Sequence, residues 1–314
     1  PDGRASVVDD DDPHGKLFCL DLYTTDLKQR SWLPRGTVKK IRVLEGMPCK
    51  ADALAKTPGA LVPLAPRRIL GEVDMDKNLS GPMDKWRVLM GQSDKKGQPV
   101  PEDKCGSFSL DVPANTPLEL QILDENGMAV RSCGWIWARN HEPRGCIGCH
   151  EDGELTPANA LPLAATEPSV ALCPPPEKRP AIDFRRDVMP IIARKCTACH
   201  GKDGSPPQLE AFQTPAMGPI QVASYRRVYE ALLAPDKASG PDNPYGKYVH
   251  PGRARTSPLV WHLFGRNTSR PWDGAAAGAT AKPIPPGRTQ PLSEEEKQVL
   301  VKWIDLGAPW GTSP

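Results

Sequence analysis

The chain has no long apolar run. Nowhere in its 314 residues do roughly 20 consecutive apolar residues occur, the length a helix needs to cross a bilayer. It also lacks an excess of charge of one sign. Forty Lys and Arg against 38 Asp and Glu leave a formal charge of +2, without the clustered basic face on which nucleic-acid binding depends. Histidine is scarce, with six in the whole chain, so the positions of the few that occur carry information. No leader precedes Pro1, and the expectation is that a signal segment has been removed or that the chain is part of a longer one.

Proline and glycine are plentiful, at 37 and 27 residues. Together they form about a fifth of the chain, which predicts long ordered loops rather than disorder. Nine cysteines stand at 19, 49, 105, 133, 146, 149, 173, 196 and 199. Four of them form two Cys-x-x-Cys pairs. The other five are an odd number, so an oxidising compartment allows at most two disulfides and leaves one thiol over.

The patterning divides the chain. Residues 1–13, with the run Asp9 to Asp12, read as a solvated acidic tail. From about Lys16 to Trp137 the period is two: Phe108, Leu110 and Val112 alternate with Ser107, Ser109 and Asp111. Leu118, Leu120 and Ile122 alternate with Glu119 and Gln121, and Ile41 and Val43 with Lys40 and Arg42. Such alternation marks strands with one buried face. Asn126-Gly127 predicts a tight hairpin turn, and Met75–Pro101 a long excursion between strands. A proline-rich stretch, with Pro174-Pro175-Pro176, follows. Beyond Pro180 the period becomes 3.6. Asp183 is placed to cap a helix bearing Phe184, Val188, Ile191 and Ile192, kinked by Pro190. Further helices are predicted at Ser224–Leu233, from Thr256–Ser257 onward, and after Ser293, which with Glu296 forms a capping box. Gly307 is the predicted stop of the last one. The fold class is therefore α+β and multidomain: an antiparallel β-sandwich over 1–155, a linker over 156–180, and a mostly α domain over 181–314.

Each region ends or begins on the same motif. Cys146-Ile147-Gly148-Cys149-His150 and Cys196-Thr197-Ala198-Cys199-His200 both match the pattern for covalent haem attachment. Two thiols three positions apart can form thioethers to the two vinyl groups on one porphyrin edge, and the next residue places an imidazole beneath the iron. A zinc knuckle also uses paired cysteines, but needs no histidine directly after each pair. With six histidines in the chain, both positions would be His by chance on the order of once in a few thousand. The reading is two covalently bound haem c groups, on Cys146 and Cys149 with His150 and on Cys196 and Cys199 with His200. That chemistry places the chain in the periplasm or outside the cell.

Axial ligation decides what such haems do, because a six-coordinate iron passes electrons and an open one binds substrate or gas. The helix leading into Cys196–His200 and Gly201, with a late helix carrying Trp303, resembles class I cytochrome c. Where such proteins often place Met-Pro-Pro, this chain reads Ile284-Pro285-Pro286. Met217 is the weaker alternative, and His250 and His262 are candidates of equal weight for a bis-histidine iron. At the first motif the candidates are less defined: His141, His14 and Glu154, or an open iron.

Two longer stretches carry a family resemblance. Gly134-Trp135-Ile136-Trp137, followed by Arg144-Gly145-Cys146 through Glu151-Asp152, resembles the middle domain of the hydrazine synthase alpha subunit and its relatives. Ala254-Arg255-Thr256-Ser257-Pro258-Leu259, with Asn267 to Trp272, resembles that family's C-terminal haem domain. The resemblance implies a haem-bearing β-sandwich followed by a cytochrome c domain with a bis-histidine haem, after an N-terminal propeller that has no counterpart here. In the hydrazine-forming enzyme a tyrosine four residues beyond the motif histidine binds the catalytic iron. The matching residue here is Glu154, a departure that bears directly on that chemistry. The function expected is electron transfer between redox partner proteins, with no catalytic residues assigned. The alternative is a haem oxidoreductase with substrate at an open first haem and the second haem as relay. A homo- or hetero-oligomeric assembly fits either reading.

Overall fold

The computed structural model describes residues 7–25, 33–48, 66–75, 106–149, 164, 168–211, 218–234, 246–281 and 291–311. The chain divides into two compact units. One comprises Pro1–Gly46, Arg68–Asn126 and Val130–Pro180; the other comprises Met47–Arg67, Gly127–Ala129 and Ala181–Pro314. The fold is mixed α+β with two sheets.

The strands form two four-stranded sheets. The first has the order β7-β1-β4-β8 and the second β3-β2-β5-β6. In chain order these are β1 (His14–Cys19), β2 (Lys40–Gly46), β3 (Arg67–Asp74), β4 (Phe108–Pro113), β5 (Leu118–Leu123), β6 (Ala129–Ile136), β7 (Pro143–Cys146) and β8 (Val170–Ala171). On β4 Phe108, Leu110 and Val112 are buried as predicted, but Ser107 and Ser109, expected on the exposed face, are buried as well.

Three features depart from the sequence reading. First, the sheet containing β1 is not purely antiparallel. β1 runs antiparallel to β4, with Leu17 opposite Leu110, but parallel to β7, with Cys19 opposite Cys146. β8, within the stretch read as linker, runs parallel to β4. Neither β7 nor β8 reaches its partner through a hairpin, so the local pattern contains nothing that sets their direction. Second, Arg42 of β2 and Glu119 and Gln121 of β5 do not face water. Arg42 is fully buried, and Glu119 and Gln121 nearly so. A guanidinium out of water must be paired. Arg42 donates to Glu72 at 2.8 Å and to Gln121 at 3.1 Å, and Gln121 in turn donates to Glu119 at 3.1 Å. Third, the turn between β5 and β6 is longer than a two-residue hairpin. The Asp124 side chain accepts from the Asn126 backbone at 2.9 Å, and Gly127, not Asn126, takes the positive φ, at 72°. The predicted excursion over 75–101 lies outside the described residues apart from Met75.

In the second unit the helical elements follow the sequence closely. Asp183 caps the first, accepting from the backbone N–H groups of Arg185 and Arg186. The kink expected at Pro190 is resolved as a wide π turn, Phe184–Val188, ahead of α1 (Met189–Lys195). Proline has no N–H to return to the fourth residue back, and the Met189 N–H instead reaches Phe184 O, five residues back. The chain continues into α2 (Thr197–His200), α3 (Pro219–Leu233), α4 (Pro258–Phe264) and α5 (Glu294–Asp305). α3 starts five residues before its predicted position, with Pro219 in the first turn, where its missing N–H costs nothing. The capping box of Ser293 and Glu296 is formed, and Gly307 stands just past α5 at φ 97°. The core brings Phe184 against Tyr229 and Trp303, with ring centroids 5.2 and 5.3 Å apart. Among the described residues no helix is long and apolar enough to cross a membrane.

Candidate haem attachment sites

The first motif starts at the end of β7. Its backbone is clasped by the segment leaving β1: Leu20 N–H donates to Cys146 O at 2.9 Å, Asp21 N–H to Ile147 O at 3.0 Å, and Cys149 N–H to Thr24 O at 3.0 Å. Gly148 permits this closeness, since a Cβ there would lie 2.3 Å from Thr24 O. Cys146 and Cys149 are half-buried, and the buried Cys19 sits opposite Cys146 in the sheet with its thiol on Ile147 O at 3.9 Å. Trp135 and Trp137 precede the motif and are 40 and 50% exposed. The Arg144 guanidinium stacks 5.4 Å from the Trp137 ring.

His150 and Glu154 lie outside the described residues, as do Met217, the 284–286 segment, Cys49 and Cys105. The two other histidines considered for the first site are described, and they are not beside the cysteines. His14 begins β1 and His141 precedes β7, whereas Cys19 and Cys146 end those strands. At about 3.3 Å per residue, five residues of strand carry the chain about 16 Å. Both rings turn to Asp12. His141 Nδ1 is 2.8 Å from one carboxylate oxygen and His14 Nδ1 3.3 Å from the other. These contacts hold the exposed Asp12 carboxyl below its usual range, its hydrogen bond with His141 foremost. Asp12, read from sequence as part of a solvated tail, thus organises one wall of an open cavity of about 860 Å³ that Cys173 also lines. The Cys173 thiol is pushed up to about 11, chiefly by burial, and donates to Asp111 O at 3.4 Å. No disulfide joins two of the described cysteines.

The second motif is built differently, on helical turns. Cys196 closes α1 and opens α2, and its carbonyl accepts from both Cys199 N–H at 3.1 Å and His200 N–H at 2.9 Å. Cysteines at i and i+3 of such turns project from one side. The Cys196 thiol is pushed up to about 11 by burial, with Cys199 next. His200 Nδ1 lies 2.9 Å from Ser205 O. A carbonyl only accepts, so the proton is on Nδ1 and the lone pair on Nε2, the arrangement an axial imidazole requires.

His250 and His262 separate clearly. His262 is half-buried on α4. His250 is 9% exposed, in a loop pinned at several points. Its backbone N–H donates to Ser257 Oγ at 2.9 Å, and its Nδ1 lies 2.9 Å from Thr256 Oγ1. Gly252 N–H donates to Ile304 O at 2.7 Å, and Ala254 N–H to the buried Asp305 carboxylate at 2.9 Å. The second carboxylate oxygen of Asp305 accepts from Ala129 N–H, also at 2.9 Å. Burial, followed by Lys247 and Arg253, pushes the His250 imidazole down to about 4. It is therefore neutral near pH 7, the form that binds a metal. Its Nε2 is buried and makes no hydrogen bond among the described residues. The donor set of this unit, two thiols and two imidazoles, fits a covalently held, bis-histidine haem. Thr256 and Ser257 are read from sequence only as a helix start and part of a family-like stretch; the folded loop brings them to His250, with Asp305 pinning the loop at Ala254. Among the described residues, no group of three or more His, Cys, Asp and Glu side chains gathers closely enough to hold a metal ion.

Residues 36–151 match the family described as the hydrazine synthase alpha subunit middle domain. A curated relative, hydrazine synthase subunit alpha of Kuenenia stuttgartiensis, is 28% identical in an alignment covering 96% of this chain. By these matches the chain resembles the hydrazine synthase alpha subunit. The solved Kuenenia stuttgartiensis hydrazine synthase has the same fold, with a TM-score of 0.67 at 23% identity over 96% of the chain. The chain spans less than half the length of those relatives, 43% and 44% respectively. The two stretches named from sequence meet where Thr268 Oγ1 donates to Arg255 O at 2.7 Å, and the Arg255 guanidinium forks onto the neighbouring Asp273 at 2.7 and 2.8 Å.

Proposed function

We propose that this chain is a two-haem redox protein acting outside the cytoplasm. One haem c is held by Cys146, Cys149 and His150, and the other by Cys196, Cys199, His200 and His250. When bound, the haems supply one-electron exchange at iron. The β unit carries the first group, and the second unit serves as a cytochrome c domain of the class I type with histidine in place of the usual methionine.

The observation that carries the reading is the pair of imidazoles in the second unit. His200 is held through Nδ1 by a carbonyl and His250 through Nδ1 by a hydroxyl, so each keeps Nε2 for iron. A six-coordinate iron of this kind exchanges electrons without binding substrate. His250 is favoured over His262 because its loop is buried and pinned, so little entropy remains to be lost on ligation.

A specific observation also favours the oxidoreductase reading for the first haem. His14 and His141 are committed to Asp12 at the far end of β1 and β7 from Cys146. The described residues therefore bring no histidine to the first site, which points to an iron open to a small substrate. The second haem is then its electron relay, and an assembly with further subunits supplies the redox partners. The test is spectroscopic. The purified protein should carry two covalent haems, and after reduction half of the haem should bind carbon monoxide. Two low-spin haems that both ignore carbon monoxide would leave a pure electron carrier; a single haem per chain would refute the proposal.

A further inference from the structure

The two residues after Arg255 have a role that their sequence does not suggest. Thr256 and Ser257 are buried, 3% and 0% exposed. Both hydroxyls point to one acceptor, the Arg253 carbonyl, at 3.2 Å from Thr256 Oγ1 and 3.0 Å from Ser257 Oγ. A carbonyl has no proton to give, so in the arrangement that makes both contacts at once each hydroxyl spends its only proton there. Each oxygen is then left to accept, and what faces each one is His250: Ser257 Oγ takes the His250 backbone N–H, and Thr256 Oγ1 lies 2.9 Å from the ring Nδ1. Arg253 N–H returns to His250 O at 2.9 Å, closing the bracket. By this count of protons the His250 ring carries its hydrogen on Nδ1 and donates it to Thr256.

We propose that Thr256 is a positioning residue for the second haem: its hydroxyl, anchored on Arg253 O, fixes the His250 tautomer with the lone pair on Nε2 and strengthens that imidazole as an iron ligand. The inference rests on His250 being the distal ligand. Hydrogen-bond acceptors behind a ligating histidine raise its basicity and orient its ring. A more basic ligand favours ferric over ferrous iron, so Thr256 holds the potential of this haem down. It also makes the two axial imidazoles unequal, because His200 leans on a carbonyl and His250 on a neutral hydroxyl, the weaker acceptor.

The test is a redox titration of the full two-haem protein with its two components resolved. His250→Met first identifies the component that His250 governs. Thr256→Val, which keeps the shape and removes the acceptor, should raise the midpoint of that component. The expected size is about tenfold in the ferric-to-ferrous ratio at fixed potential, which for one electron is about 59 mV. The spectrum should remain low-spin, the other component should stay in place, and Thr256→Ser should restore the original midpoint. If the valine variant fails to load both haems, Thr256→Ala against Thr256→Ser carries the same comparison, with only the alanine midpoint raised. A valine or alanine variant at the original midpoint, or a serine variant that behaves like them, overturns the role of Thr256. If His250→Met moves neither component nor either spectrum, it is the ligand assignment that fails.

Discussion

The two Cys-x-x-Cys-His motifs share their spacing and little else. Around Cys146 the backbone is an irregular loop clasped by the exit of β1, and its closest approach depends on Gly148 having no side chain. Around Cys196 it is helical and carried by its own turns. In the β unit His14 and His141 pair with Asp12 at the far ends of their strands; in the second unit a hydroxyl-and-carbonyl bracket holds the His250 imidazole in the interior. An attachment motif specifies only where a porphyrin edge is anchored. What meets the other face of the iron is decided by side chains far away in sequence, and on the reading proposed above those differ enough to give one haem an open position and the other a closed one.

That contrast can be broken most directly by deleting one site. Replacing Cys196 and Cys199 together with alanine should lower covalent haem from two to one per chain, measured by the pyridine haemochrome, and should remove the low-spin component rather than the carbon monoxide-binding one. A second experiment converts the closed site into an open one. His250→Ala should make the second haem high-spin and able to bind carbon monoxide, while His262→Ala leaves its absorption and electron paramagnetic resonance spectra as they were; the reverse result would transfer the ligand role to α4.

The next effect is one of stability. Asp305→Ala removes the carboxylate that accepts from Ala129 and Ala254, leaving two buried N–H groups unsatisfied, at about 1–3 kcal/mol each. Denaturant unfolding should report a loss of about 2–6 kcal/mol, and the second haem should lose ligation before the first. Gly148→Ala tests the opposite region. A Cβ placed 2.3 Å from Thr24 O and 2.8 Å from Thr24 Cβ must displace backbone, so attachment at Cys146 and Cys149 should fall while that at Cys196 and Cys199 is unaffected. Peptide mapping of haem-bearing fragments would separate these outcomes.

The smallest effect is at Asp183. Burial opposes its ionisation, but hydrogen bonds from the Arg185 side chain and backbone outweigh it and hold the carboxyl below its ordinary 3.8. A carboxyl with a depressed folded value stabilises fully above the unfolded value, and the contribution is lost as pH falls through the folded one. Asp183→Ala should therefore cost about 1 kcal/mol at pH 7, typical of a lost helix cap, and progressively less in acid. Equal losses at pH 7 and well below pH 3 would show that the carboxylate is not the cause.

Much of this molecule is legible in short stretches of sequence. Asp183, the Ser293–Glu296 box and Gly307 act where their neighbours alone dictate, because caps and turns are local hydrogen bonds. The alternating residues of β4 and the cysteine spacing are equally local. Other features depend on pairing between distant segments. The parallel direction of β7, the buried Arg42–Glu72–Gln121 chain and the recruitment of His14 and His141 to Asp12 leave no periodic trace, since each joins residues whose separation in sequence is arbitrary. The sequence by itself determined two Cys-x-x-Cys-His motifs and offered His250 and His262, ahead of Met217, as ligand candidates for the second. Only the tertiary structure separates those two histidines, because the property that distinguishes them is burial beside Thr256 and Ser257, whose hydroxyls both reach Arg253 O.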